Sequence, residues 1–346
     1  MRILIVGAGW YGCYLAYRLK RSGIEVRIIE KESEIMSGAS THNQNRLHLG
    51  FHYMRSFKTR DECIRGYSHF MKEFPFLTRP VPCNLYIIDK RSWIDTMTIR
   101  SILDQHQIPY EEYPNEYAES FLNTDRIESI LRTEERVIDP ELSKRFFEDE
   151  LQDILLCECD YRKHFSPETR VLSFHDQEER FDHVVYCTFD ENVRSQRIGD
   201  CRVEYCMSLV YECHAPFFDK ALTVIDGPFF SLYPYIGSYY TLTHVTHTVI
   251  TESEQAMEKT QLVTQKRARM EAAIIDLFPD FLKYFTYSSY FVSTKTKQRD
   301  APSDDRSVRY VFDKRLRSLS IYGGKITGVF DAYDACHAHL MTHEIK

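Results

Sequence analysis

The chain lacks several features that would assign it elsewhere. None of its 346 residues fall in an apolar run of about 18, so no segment reads as a bilayer-spanning helix. It has no long basic stretch either. Net charge is -7 with His neutral, and the densest basic segment, KTKQRDAPSDDR at 295–306, has acids interleaved. Without a basic stripe the electrostatic drive for nucleic-acid binding is missing, and a nucleic-acid partner is not expected. Among the ten cysteines the closest pair is Cys157 and Cys159, and there is no Cys-x2-Cys ladder. His244 and His247 have neither the His-Glu-x-x-His pattern nor a neighbouring cysteine, so no metal site is expected. Cys13, Cys187, Cys206 and Cys336 sit in apolar segments, as small core residues do in a reducing cytoplasm. The opening MRILIVGAG runs directly into a motif that needs a folded strand, which leaves no room for a removable leader.

What is present is a globular composition, 43% hydrophobic and 27% charged, long enough for about two domains. Aromatics are plentiful, with 23 Tyr and 22 Phe against 2 Trp. Arg2–Val6 reads as a strand, and Leu15, Ala16 and Leu19 recur at helical spacing before Gly23 ends the helix. VRIIE (26–30) then reads as a second parallel strand. Between that strand and helix lies Gly7-Ala8-Gly9-Trp10-Tyr11-Gly12. Gly7 permits the tight exit from the strand, Gly9 lets a pyrophosphate approach the backbone, and Gly12 lets helix and sheet pack closely. The helix start offers unpaired N–H groups to phosphate, and Glu30, followed by Lys31, ends the second strand where a carboxylate receives ribose hydroxyls. Glu30 would repel a 2′-phosphate. The pattern predicts a dinucleotide site.

Residues 31–60 form a polar, weakly periodic connection of the kind that builds sites. A helix is expected over 61–74, a strand at CNLYIID (83–89), and a helix from Pro140 that buries Leu142, Phe146 and Leu151. FDHVVYCT (181–188) reads as a core strand that returns the chain to the nucleotide-binding part, and a helix is expected near 258–277. At the end, SLSIY leads into Gly323-Gly324-Lys325-Ile326-Thr327-Gly328 and a helix-like run. Small residues there would let backbone amides meet a ligand at a helix start that favours negative charge.

With motifs at both ends, the chain resembles FAD-dependent oxidoreductases of the D-amino-acid oxidase superfamily. GGKITGVFDAYDA is similar to the glycerol-3-phosphate dehydrogenase version of the tail junction. SGASTHNQNRLHLGFHY (37–53) resembles the segment after the second strand in the L-2-hydroxyglutarate oxidase branch. The resemblance implies non-covalent FAD. Its ADP part would lie on Gly7, Ala8, Gly9, Trp10, Tyr11, Gly12, Glu30 and Lys31; Ser40, Asn43, Arg46 and His48 would lie beside the isoalloxazine. Gly324, Lys325, Ile326 and Thr327 would lie at its pyrimidine edge, where a reduced flavin gains negative charge. One departure is Cys187-Thr188-Phe189, where such proteins commonly have Ala-Thr-Gly. The implied fold is α/β with an α+β part. A Rossmann-like FAD-binding domain would be assembled from the discontinuous segments 1–75, 135–195 and 300–346, and a mixed-sheet substrate domain from 76–134 and 196–299.

The expected chemistry is hydride transfer from a C–H of a small polar or anionic amine, amino acid, hydroxy acid or amino-sugar-like substrate to flavin N5. O2 or another acceptor would reoxidise the flavin. His48 is favoured over His52 as the base, since histidine titrates near neutrality. Arg46, Arg306 and Lys325 are the candidate charge partners, with Lys295 and Arg299 in the same basic segment as Arg306. Asp226, Tyr233 and Tyr235 belong to an aromatic stretch that could wall a pocket. Two other readings stay open: a flavin monooxygenase using NAD(P)H and O2, and a catalytically silent FAD-binding module.

Overall fold

The computed structural model describes residues 1–195, 197, 201–216, 218–252, 260–298 and 307–344. Its contacts divide the chain into two units, the first comprising Met1–Thr41, Pro140–Val203 and Lys295–Lys346, the second His42–Asp139 and Glu204–Thr294.

The first unit is a Rossmann-like layer. Its main sheet runs in the order Arg309–Asp313, Ser318–Tyr322, His183–Tyr186, Arg2–Val6, Glu25–Ile29 and Leu155–Leu156. All pairings are parallel except the first. A parallel sheet covered on both faces calls for continuous apolar strands, and Ile3, Leu4 and Ile5 are fully buried. The opening helix, Trp10–Arg21, buries Cys13, Tyr14, Leu15, Ala16 and Leu19, and the tail helix Val329–Glu344 packs along it through the edge-on contact of Phe330 with Tyr14.

The helix Pro140–Leu151 is present, but its buried face differs from the one expected. Ser143, Phe147 and Leu151 point inward at i, i+4 and i+8, while Leu142 is 42% exposed and Phe146 is half-buried. Adjacent phenylalanines leave the helical phase ambiguous, and packing decides it. Phe147 meets the ring of Trp10 edge-on, with centroids 5.4 Å apart.

The second unit is built on a large mixed sheet. Its order is Val249–Thr251, Cys201–Cys213, Tyr239–His244, Phe230–Pro234, Lys220–Ile225, Cys83–Asp89, Ile127–Thr133 and Glu111–Glu112, with Phe285–Gln298 pairing on Cys201–Cys213. One face is apolar: Leu85, Ile87, Leu209, Leu222, Leu232 and Leu242 pack under the helix Thr260–Leu277. Along those same strands Tyr86, Thr223, Ser231, Tyr233 and Thr241 alternate onto the opposite, more polar face. Residues 42–75, expected with the nucleotide-binding part, belong to this unit. The reason is pairing and close packing. Arg46–Leu47 pairs with Arg136–Ile138, which also pairs with Thr78–Pro80. Gly50, at φ +94, lies so near the helix Phe57–Glu73 that a Cβ would be 3.1 Å from the Arg60 Cα.

The helical phase can be checked by truncation. Phe147→Ala should lower the unfolding free energy by about 3–5 kcal/mol, and Leu142→Ala by no more than about 0.5 kcal/mol. Urea titration of both variants measures this, and equal losses would contradict the observed face.

Candidate functional site

In the first unit the opening strand delivers the chain to Gly7, whose φ of +96 suits a residue without a side chain. A Cβ there would lie 2.9 Å from the Cys187 carbonyl oxygen, and one at Gly12 would overlap the carbonyl oxygen of Gly7. The helix therefore starts tight against the strand ends. Gly9 is its N-cap and makes no side-chain capping bond. The first turn of the helix carries no acid of its own, and its positive end favours an anion.

Ser40 approaches the same place, with its Oγ accepting the Trp10 N–H at 3.0 Å. A Cβ on Gly9 would stand 2.9 Å from that oxygen, so Gly9 keeps the cradle open. Glu30 is held beside it: its Oε2 accepts the Ala8 N–H at 2.7 Å and its Oε1 the Glu32 N–H at 3.1 Å. Lys31 is exposed and paired with Glu32. The Trp10 side chain is a core ring against Phe147, so only its backbone belongs to the cradle.

Tyr11 joins the two glycine-rich motifs. Its hydroxyl donates to the Lys325 carbonyl at 2.8 Å, and a Cβ on Gly323 or Gly328 would overlap that hydroxyl. Lys325 caps the 3-10 turn Ile326–Gly328, which runs directly into the tail helix. Gly324 is exposed, Lys325 and Ile326 are half-buried and Thr327 is buried. Motifs more than 300 residues apart thus meet within the first unit through Tyr11.

Asn43, Arg46, His48 and His52 fall in the second unit. Asn43 accepts the Asn45 N–H at 2.5 Å and shapes the turn through Asn45, which has φ +49. Arg46 does not present the open fork expected for an anion. Its side chain is 6% exposed and faces Glu135, at 0%, across 3.2 Å. The same guanidinium donates to Thr223 Oγ1 at 3.0 Å, Ser231 Oγ at 2.9 Å, Tyr86 Oη at 3.3 Å and His52 Nε2 at 2.8 Å. It lies 3.9 Å over the ring of Tyr233. Burial opposes the Arg46 charge, but Tyr86, Glu135 and Tyr233 outweigh it and hold the guanidinium pKa above its ordinary value. Burial pushes the Glu135 carboxyl upward, and Arg46 with the Tyr86 hydroxyl reverses only part of that rise.

His48 Nδ1 accepts the Gly50 N–H at 3.1 Å. In the neutral ring the proton is then on Nε2, so the other ring nitrogen donates rather than accepts. That is the reverse of what a base requires. Asp226 is paired with Arg55 at 2.7 Å, and Arg55 also covers Trp93. Tyr235 lies near the ring of Phe291. His244 and His247 stack at 4.4 Å, and burial followed by the His247 charge pushes His244 down to about 4. Lys295 is exposed, while Arg299 and Arg306 lie outside the described residues. Among the described residues no group of three or more His, Cys, Asp or Glu is placed to hold a metal ion, and no helix is long and apolar enough to cross a membrane.

Nothing local in the sequence marked Glu135, Tyr86, Thr223 and Ser231 as partners of Arg46. Glu135 adjoins exposed Glu134 in a charged run, and its partners are brought to it only by sheet pairing.

Two substitutions test the cradle. Gly9→Asp should reduce flavin affinity at least about tenfold, ~1.4 kcal/mol, through crowding and charge repulsion; unchanged flavin content after desalting would remove the diphosphate from this turn. Tyr11→Phe should cost roughly 1 kcal/mol of stability and loosen flavin binding, read from thermal unfolding and flavin titration. Parent values for both would break the proposed link between the motifs.

Residues 5–70 match the family model of an NAD(P)-binding Rossmann-like domain. The chain is 31% identical over 340 residues to the FAD-dependent monooxygenase FPY4 of Fusarium mangiferae, covering 95% of this chain and 88% of that protein. It is 25% identical over 363 residues to the FAD-dependent monooxygenase kojA of Aspergillus flavus, covering 96% and 84%. Among solved structures, glycine oxidase from Geobacillus kaustophilus superposes with a TM-score of 0.71 at 12% identity, over 95% of this chain and 90% of that one. L-proline dehydrogenase from P. horikoshii gives 0.66 at 13% identity, over 95% and 89%. The chain shares its fold with these enzymes and with the glycerol-3-phosphate dehydrogenase of Bacillus halodurans, solved with FAD, which matches with a TM-score of 0.65 at 15% identity. By its near full-length kinship with FPY4, the chain belongs to that family of FAD-dependent, monooxygenase-type oxidoreductases.

Proposed function

We propose that the enzyme is a flavin-dependent monooxygenase acting on a small polar, amino-acid-like substrate, the reading set second to direct hydride oxidation on sequence grounds. The observation that carries it is the 31% identity to a monooxygenase along 95% of the chain. When bound, FAD supplies the redox chemistry: NAD(P)H gives two electrons, one atom of O2 enters the substrate, and the other leaves as water. The chain's own residues hold and orient. Gly7, Gly9 and Gly12 would admit the diphosphate with Ser40 beside it, Glu30 would hold the ribose, and the turn through Lys325, Ile326 and Thr327 would meet the pyrimidine edge.

The histidine geometry agrees with this reading. Oxidation of an alcohol by hydride loss needs a base for the O–H proton. Both candidates have their lone pairs engaged, His48 Nδ1 by Gly50 and His52 Nε2 by Arg46. Nor can Arg46 clamp a substrate carboxylate while Glu135 holds it. Cys13, Cys159, Cys187 and Cys336 are buried free thiols, the state a reducing cytoplasm maintains, and we place the enzyme there.

Anaerobic mixing of the FAD-loaded protein separates the mechanisms. NAD(P)H should bleach the flavin, while amino acids, amines and hydroxy acids alone should not. Turnover under labelled O2 should then place one labelled oxygen in the product. Bleaching by an organic substrate without NAD(P)H, giving a product free of label, would replace this reading with direct oxidation.

A further inference from the structure

The main sheet of the first unit ends on a strand with one side unused. Among the described residues Arg309–Asp313 pairs only with Ser318–Tyr322, antiparallel and without a register shift. An edge strand carries a row of backbone N–H and C=O groups that its own sheet does not use, and these form a template for another strand. Strands that stay single are blunted by Pro or Lys within them, by a bulge, or by a cover. The stretch Arg-Tyr-Val-Phe-Asp has neither of those residues. Nor is it covered, since Tyr310 is 58% exposed and Val311 45%. Successive side chains point to opposite faces, so each face of the edge shows one of this exposed pair.

The residue order in the strand is self-complementary. Antiparallel pairing of two copies about Val311 sets Arg309 opposite Asp313 of the second copy, and Asp313 opposite its Arg309. On the other face Tyr310 meets Phe312 of the second copy, and Phe312 its Tyr310. Within the chain Phe312 already lies against His339 of the tail helix, which steadies that ring before any pairing. Unlike charges and aromatic pairs directly opposite one another are favourable across strands, and like charges are unfavourable. Parallel pairing in register would set Arg309 on Arg309 and Asp313 on Asp313. A slip of the antiparallel pair by one residue toward the following turn would set Arg309 against Lys314. The charge pattern therefore favours one arrangement, and the occupant it fits is the same strand of a second copy.

We propose that this edge is a self-association surface: two copies join through Arg309–Asp313 about a two-fold axis at Val311, and the six-stranded sheet of one continues into that of the other. The contact uses five residues from each copy, so the dimer is reversible, with a Kd on the order of micromolar. The inference goes beyond the monooxygenase reading and does not depend on it.

Sedimentation velocity of the FAD-loaded protein, at concentrations bracketing that value, should show monomer passing to dimer. Asp313→Arg makes both ends of the edge basic, and Arg309→Asp makes both acidic. Each variant alone should self-associate at least about tenfold more weakly than the parent. An equimolar mixture of the two should associate again, because unlike charges then meet at both ends. Val311→Lys places like charges on the axis and should leave a monomer with parental circular dichroism and flavin content. That position is exposed, so this variant keeps the test decisive should a charge variant fold poorly. A parent that stays monomeric throughout overturns the proposal. A dimer that Val311→Lys leaves intact overturns it too, by placing the contact elsewhere, as does a mixture of folded charge variants that fails to recover association. Turnover plays no part in these measurements, so the monooxygenase reading stands or falls separately.

Discussion

The rest of the first unit depends on a contact that admits no side chain: the meeting of the opening helix with the end of the opening strand. Gly12 stands where a Cβ would overlap the Gly7 carbonyl, and Gly7 itself is pressed against the Cys187 carbonyl of the neighbouring strand. This closeness directs the first helical N–H groups at one point beyond the strand ends. It also puts Ala8 within reach of Glu30, Trp10 within reach of Ser40, and Tyr11 within reach of Lys325. A larger residue at either glycine would displace the helix start and, with it, every one of those partners.

The two units place their polarity differently. In the first, the cradle is made of backbone groups and a helix end, with Glu30 as its nearest fixed charge. That suits an anionic cofactor, because the donors are in place before binding and require little reorganisation. In the second, a full ion pair is buried on the sheet face. Such a pair is costly unless its remaining hydrogen-bonding capacity is satisfied. Tyr86, Thr223, Ser231 and His52 supply that satisfaction to Arg46. Of the three guanidinium nitrogens of Arg46, Nε is the one left without a partner among the described residues. A network so nearly closed leaves the Arg46–Glu135 pair little freedom to rearrange.

Legibility followed locality. The opening motif could be read because strand, turn, helix and terminal acid lie within 30 residues and each glycine has its own steric reason. The tail junction was legible for the same reason, although nothing in the sequence showed Tyr11 reaching Lys325. The Glu135 partner of Arg46 was not legible because an arginine in a polar loop looks the same whether it faces water or a carboxylate. Its environment is set by residues up to 185 positions away. The inward face of Pro140–Leu151 failed for a different reason: Phe146 and Phe147 are equivalent in composition, and the ring of Trp10 selects between them.

Phe189 stands where the resemblance implied glycine, and it takes a glycine-like conformation. It occupies φ +48 and ψ -105, in the region that favours glycine. Holding a side chain there costs about 1–3 kcal/mol. Its ring stacks on Tyr322 with centroids 5.5 Å apart and planes 21° apart, among Val193 and Cys201. An aromatic pair of this kind returns about 0.5–1.5 kcal/mol beyond the area it buries. The turn is also held from outside Phe189, since Asn192 Nδ2 donates to the Tyr186 carbonyl at 3.0 Å and to the Ile321 carbonyl at 2.9 Å. Those bonds tie the internal strand to the last one, next to the Cys187 carbonyl that limits Gly7. The backbone path there is determined by the strands and the Gly7 contact, and the ring at 189 has adapted to it by packing on Tyr322.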